Sequence, residues 1–360
     1  MDRRDFLRRT ATTALGVSAV SLFPGLRPAW AVGTKSARLP GVVRQNVKNL
    51  TAQQRSDYIN AILALKQTQS PFDAALSYYD QFVQWHKHAF DCNISAAHMS
   101  PAFLPWHREF LLLFEAGLQQ VSGDPSMAIP YWNWTDDAST RRLFSTNFMG
   151  GEGRQSAGWA VTDGPFQRGS WRLNVLDPKS NDKHRFRYLV RRFGTRLAPE
   201  LPTKKQVNHS LTIPKYDVAP YDPGSDIHQS FRNFLEGWKG STGMTCTDGL
   251  MDPVLGPNAE SIMHNGVHIY VGGVWGADDG FAGTMTLNTS LNDPVFWSHH
   301  ANIDRIWDMW EQTHSFSYKP ASGLRQGQNL NDKMWPYRTV GINVRISDLL
   351  DISTLGYSYA

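Results

Sequence analysis

Imidazoles carry most of the chemistry open to this sequence. Its 360 residues include 12 histidines and 13 tryptophans but only two cysteines, which excludes a disulfide scaffold and a Cys-rich zinc or iron–sulfur site. Six histidines fall into two groups: His86, His98 and His107, then His264, His268 and one of the adjacent pair His299-His300. His264 and His268 are four apart, so on a helix both rings project from one face and can share an ion. His300 stands four residues before Asp304, which places that carboxylate to hold a histidine tautomer from behind. At this histidine density a chance His-x3-His is expected roughly 0.4 times in such a chain, so spacing alone decides little. The surroundings decide more, because the six sit among aromatic and apolar residues where an unpaired imidazole is costly to bury.

Imidazole suits copper, zinc, iron and nickel. Asn265 stands where a metalloprotease helix would carry its glutamate, which counts against a hydrolytic zinc site. Six neutral ligands with neither carboxylate nor thiolate leave two dications uncompensated. Such a set favours a metal with a reduced, lower-charge state and an anionic bridge such as hydroxide. Copper redox chemistry with dioxygen fits it better than hydrolysis.

Rigid elements must present these rings. Thr51 caps a helix reaching about Gln69, with Tyr58, Ile59, Ile62, Leu63 and Leu65 at helical spacing. Asp73 is placed to cap a second, to about Lys87, that carries His86. Pro105 opens a third, to about Val121, with His107 in its first turn and His98 in the loop ahead. Asp226 to Trp238 and Ser261 to Tyr270 read as helices, and Asp293-Pro294 caps a strong one to about Thr313. Between Asp136 and Pro223 the Gly, Pro, Arg and Asn content predicts long surface loops. Strand-like runs are few, and neither repeat nor linker is visible, so one mainly α domain follows.

The first 31 residues read as an address. Arg3-Arg4-Asp5-Phe6-Leu7-Arg8 precedes an apolar run from Ala11 to Leu22 and a small-x-small site, Ala29-Trp30-Ala31. That is the pattern of a twin-arginine signal, too short to span a bilayer. It predicts export to the periplasm or the medium and a mature chain from near Val32. Arg3, Arg4, Arg8, Arg9 and Arg27 against Asp2 and Asp5 account for +3 of the formal net charge of +4. The remainder is close to neutral, which argues against a nucleic-acid partner. No later run is apolar for long enough to make a membrane helix.

On these residues the chain resembles the tyrosinase family of binuclear type 3 copper proteins, which includes catechol oxidases and haemocyanins. His98-x8-His107 within Phe-Leu-Pro-Trp-His-Arg resembles the first copper signature. His264-Asn-x-Val-His268, then Asp-Pro-Val-Phe-Trp-x-His-His, resembles the second. Pro130-Tyr-Trp-Asn-Trp134 is similar to the family's Pro-Tyr-Trp-Asp-Trp, and Tyr357-Ser-Tyr359 to its closing Tyr-x-Tyr; the likeness runs from about Arg44 to Tyr359. It implies a mainly α single domain over residues 32–360, with a central four-helix bundle holding two copper ions. Its ligands would be His86, His98 and His107 for one copper and His264, His268 and His300 for the other. The family's Phe-Val-x-x-His pattern selects His86 over His88, and its habit of using the second of the paired histidines selects His300 over His299. The implied reaction, with dioxygen as co-substrate, is ortho-hydroxylation of monophenols and oxidation of o-diphenols to o-quinones. Glu236, in Phe231-Arg-Asn-Phe-Leu-Glu236-Gly-Trp238, and Asn265 would hold the water that takes the phenol's proton. The alternative is a catechol or o-aminophenol oxidase without hydroxylase activity. A haemocyanin-like carrier would shield the site, and a chain closing at Tyr-x-Tyr argues for an open one. A copper chaperone and the oligomeric state stay open. Ser241 to Ile262 reads as an insertion, either a lid or, more simply, a surface loop. Cys92 lies where several relatives carry a thioether-forming cysteine, but the spacing is different, so a thioether, a free thiol and a Cys92–Cys246 disulfide all remain open.

Overall fold

Capping chemistry sets the first helix. In the computed structural model, which describes residues 41–176, 186–276 and 280–360, Thr51 accepts from the backbone of Gln54 while the Gln54 side chain accepts from the backbone of Thr51. That reciprocal box starts α1 (Ala52–Gln67). The second helix begins later than the sequence predicts. Asp73 caps only a turn, accepting from Ala75 N at 2.9 Å, and Ser77 accepts from Asp80 N at 3.1 Å to open α2 (Tyr78–His88). The reason is packing: the buried face, with Tyr78, Tyr79, Phe82 and Val83, starts only there. The export segment proposed from the sequence lies outside the described residues.

The longest helices are α3 (Phe103–Ser122) and α8 (Val295–His314). They pack on each other through Phe114 and Trp297, whose rings stack at 3.6 Å between centroids. Helix α3 also packs against α1, and α7 (Met263–Gly272) against α8. Among its described residues, the stretch expected to be loops holds two short α-helices, α4 (Asp137–Leu143) and α5 (Lys204–Ser210), and a 3-10 turn at Gln155–Ala157. Helix α6 (Phe231–Glu236) is shorter than Asp226 to Trp238, because Ser230 caps it and Gly237, at φ 105°, ends it. Only glycine fits there: a β-carbon would fall 1.9 Å from Ile262 O.

The mainly α reading of the sequence holds, with few strands, in pairs. Strand β1 (Val42–Arg44) runs parallel to β6 (Tyr357–Tyr359), joining distant parts of the chain, and β4 (Val274–Trp275) pairs with β5 (Phe281–Ala282). The third pair is a correction. The Ser241–Ile262 insertion is an antiparallel hairpin, not a loop: β2 (Trp238–Thr247) pairs with β3 (Leu250–Ser261) from Trp238↔Ser261 to Thr247↔Leu250, with register shifts on either side of Ser241. Asp248 and Gly249 both have positive φ at its tip, the turn that an Asp-Gly pair favours. Because the hairpin closes at its neck, α6 and α7 stay adjacent despite the inserted sequence. Among the described residues no helix is long and apolar enough to cross a membrane.

Candidate metal centre

Helix α2 delivers His86, α3 delivers His107, and the loop between them delivers His98; all three are buried. Their ring centroids lie 4.7 Å (His86–His98), 4.9 Å (His98–His107) and 5.8 Å (His86–His107) apart. His86 Nδ1 donates to Asn288 O at 2.7 Å and His107 Nδ1 to Phe103 O at 2.8 Å. A carbonyl can only accept, so in both rings Nδ1 carries the proton and Nε2 presents its lone pair. Those two Nε2 atoms are buried and have no partner among the described residues. An orphaned acceptor pointing at its neighbours is costly unless a cation takes the lone pairs. His88 is exposed, bonded to Gln84 at 2.7 Å, and stands outside the group.

The second group is built the same way. His268 Nδ1 donates to Met285 O at 2.6 Å, and His264 Nδ1 faces Asn265 Oδ1 at 3.0 Å and Glu236 O at 3.3 Å. Their Nε2 atoms lie 3.4 and 3.3 Å from His300 Nε2. Nitrogens at about 2.0 Å around a tetrahedral ion are about 3.3 Å apart, so the three fit a single metal. His299 also falls in this group, its ring stacked on that of His264 at 5.2 Å, but neither of its nitrogens has a hydrogen-bond partner among the described residues. The two groups meet where His107 and His300 stack, 4.3 Å between centroids.

Electrostatics agrees with metal binding. Burial first, and then repulsion among neighbouring rings, hold His98, His107, His264 and His300 well below the ordinary imidazole value. His86 is held down to about 3 and His268 to about 4, with burial the main cause. All six are neutral at pH 7, the state in which imidazole ligates.

Glu236 is fully buried at the end of α6, beside His264. Its Oε1 accepts from Met99 N at 2.6 Å and its Oε2 from Arg232 Nη1 at 3.1 Å, while burial pushes its pKa up. Asn265 Nδ2 is buried with no partner among the described residues. Asp304 departs from expectation: it does not reach His300, whose Nδ1 has no partner among the described residues. Its oxygens instead accept from Arg44 (3.1 Å), Arg108 (2.5 Å), Tyr357 and Tyr359 (2.6 Å each). Two arginines and two phenols out-compete a neutral imidazole for one carboxylate. Cys92 and Cys246 form a disulfide.

Some of what holds the rings has no sequence signal. Any residue could supply the carbonyls of Asn288 and Met285. Phe90, stacked on His98 at 4.1 Å, and Phe296, stacked on His300 at 4.0 Å, were legible only as apolar neighbours. The Arg232–Glu236 pair, by contrast, has the i,i+4 spacing of a helix contact.

A family model for the common central domain of tyrosinase matches residues 76–313. The tyrosinase of Streptomyces antibioticus is 39% identical over 300 residues, covering 82% of this chain and 92% of the relative. That of Streptomyces glaucescens is 38% identical, covering 86% and 96%. Grixazone synthase of Streptomyces griseus subsp. griseus is 33% identical, covering 88% and 98%. Among solved structures, a polyphenol oxidase from Thermothelomyces thermophila is similar in fold, with a TM-score of 0.57 at 22% identity, covering 89% of this chain and 88% of that one.

Proposed function

Because the chain belongs to the tyrosinase family, we propose that it is a copper-dependent phenol oxidase that ortho-hydroxylates monophenols and oxidises o-diphenols to o-quinones with dioxygen. His86, His98 and His107 hold one copper; His264, His268 and His300 hold the other. The observation that carries this reading is the meeting of two histidine groups, His86, His98 and His107 with His264, His268, His299 and His300, at the stack of His107 on His300. His300 is preferred to His299 because its Nε2 is the one that approaches those of His264 and His268. Copper, when bound, supplies the electron exchange with dioxygen.

The chain's own residues fix the rings and handle the phenol's proton. Removing a phenol proton of pKa about 10 at neutral pH costs roughly 4 kcal/mol, so hydroxylation needs a base. Glu236 keeps acceptor capacity beyond its bonds to Met99 and Arg232, and its raised affinity for protons suits the task. The unpaired Asn265 Nδ2 donor supports a water shared between the two. Export by the twin-arginine route, from Arg3-Arg4 and Ala29-Trp30-Ala31, belongs to the same proposal, since that route carries folded, cofactor-loaded proteins. Oxygen uptake and quinone formation by the copper-loaded protein test the activity, with tyrosine and its ortho-diphenol as substrates. Turnover of both is expected. Turnover of the diphenol alone would reduce the reading to a catechol oxidase, and turnover of neither would contradict it.

A further inference from the structure

His98 is the least secured of the six rings. His86, His107, His264 and His268 each direct Nδ1 at an oxygen, and His300 rides on the long helix α8. His98 sits in a loop, and its buried Nδ1 has no partner among the described residues. Ser95 (φ 40°) and Met99 (φ 54°) on either side of it are left-handed, a conformation that non-glycine residues keep only where their surroundings enforce it. The closest ring against it is Phe90, 4.1 Å away and nearly parallel at 17°.

Phe90 and Cys92 are fastened to the inserted hairpin. Met251 N donates to Phe90 O at 2.9 Å, Cys92 N donates to Gly249 O at 3.0 Å, and the disulfide joins Cys92 to Cys246 on β2. At its other end the hairpin runs into the second histidine group, where Ile262 N donates to Gly237 O at 3.2 Å and α7 starts at Met263. The ribbon therefore spans from one group to the other.

We propose that Cys92, Cys246 and Phe90 are positioning residues: the cross-linked hairpin is a strap that holds the His98 loop in register and so sustains the metal site of His86, His98 and His107. This rests on His98 being a copper ligand. A disulfide closing a long loop also stabilises a fold by restricting the unfolded chain, so lost thermal stability alone would not distinguish a strap from a staple. Selective loss of one metal does.

The test is copper retained per chain as a chelator is titrated into holoprotein, for wild type, Cys246→Ser and Phe90→Leu, with far-UV circular dichroism reporting the fold. In each variant one of two coppers should leave at a chelator concentration at least about tenfold lower than in wild type, the other leaving as before. Phe90→Leu added to His268→Ala should weaken the remaining copper, and added to His107→Ala should not. Loss of both coppers together, or unchanged retention, would overturn the strap. Should Cys246→Ser fail to fold, Phe90→Leu, with the disulfide intact, decides by the same outcomes. A wild-type chain that binds no copper would overturn the ligand assignment itself, and the strap with it.

Discussion

A buried imidazole whose Nδ1 is tied to a carbonyl has its Nε2 left to ligate, and that holds for His86 and His107, with the half-buried His268 tied in the same way. Replacing His107, His264 or His300 with alanine leaves one copper with two imidazoles, and oxidation of an o-diphenol should fall by at least about 100-fold, as for the loss of a group that acts only as part of a unit. His88→Ala should leave it near wild type, and His299→Ala should retain most of it. An inactive His299→Ala beside an active His300→Ala would reverse the assignment. At the same scale, Glu236→Gln or Asn265→Ala should lower hydroxylation of a monophenol by at least about tenfold more than oxidation of the matching diphenol, whose first proton is more acidic. Equal losses on both substrates would make Glu236 structural. The two histidine groups were legible because imidazoles are few and their spacing is informative. Asp304 misled because i,i+4 spacing shows which face a carboxylate takes and not which of its neighbours binds it more strongly.

Among the elements, the helices were legible wherever apolar residues repeat at helical spacing, as in α3 and α8. The inserted hairpin was not. Pro253, Pro257 and Gly240, Gly243, Gly249 and Gly256 lower its strand propensity, and register shifts near Ser241 break the alternation that would mark it. Its one local sign was Thr247-Asp248-Gly249-Leu250, a hairpin turn flanked by β-compatible residues. Asp304 belongs to this scale, because it ties β1, α3, α8 and β6 together through Arg44, Arg108, Tyr357 and Tyr359. Breaking one partner of a buried ion network leaves charge uncompensated, at about 3–5 kcal/mol. Asp304→Asn should accordingly lower the unfolding midpoint in urea by that equivalent while the folded protein still binds its copper. Copper loss without loss of stability would return Asp304 to the role of a histidine partner.

For the molecule as a whole, the buried histidines tie stability to pH. They titrate near 6.5 once unfolded but are held down to about 3 for His86 and about 4 for His268 when folded. Between those values and 6.5 the unfolded chain binds more protons, so acidification favours unfolding. Carboxyls raised by burial act oppositely: Glu311, pushed up to about 8 despite its contact with Arg108, Asp308, pushed up to about 6, and Glu236 and Asp217. The lowered rings of His86, His98, His107, His264, His268, His299 and His300 outnumber them. The urea midpoint of metal-free protein should fall as pH drops from about 6.5 toward about 4. A midpoint that is flat over that range would mean the imidazoles are solvated. Replacing Arg3 and Arg4 with lysine should leave unprocessed protein in the cytoplasm, as cell fractionation would show; normal export would exclude the twin-arginine route. That segment was read from charge and residue size alone, features that need no fold.

The most direct test of the central claim is metal analysis of purified holoprotein combined with electron paramagnetic resonance. Two three-imidazole groups meeting at His107 and His300 predict close to two coppers per chain, magnetically coupled and silent when oxidised. One copper per chain with an ordinary cupric signal, or a zinc-only preparation that still oxidises phenols, would contradict it.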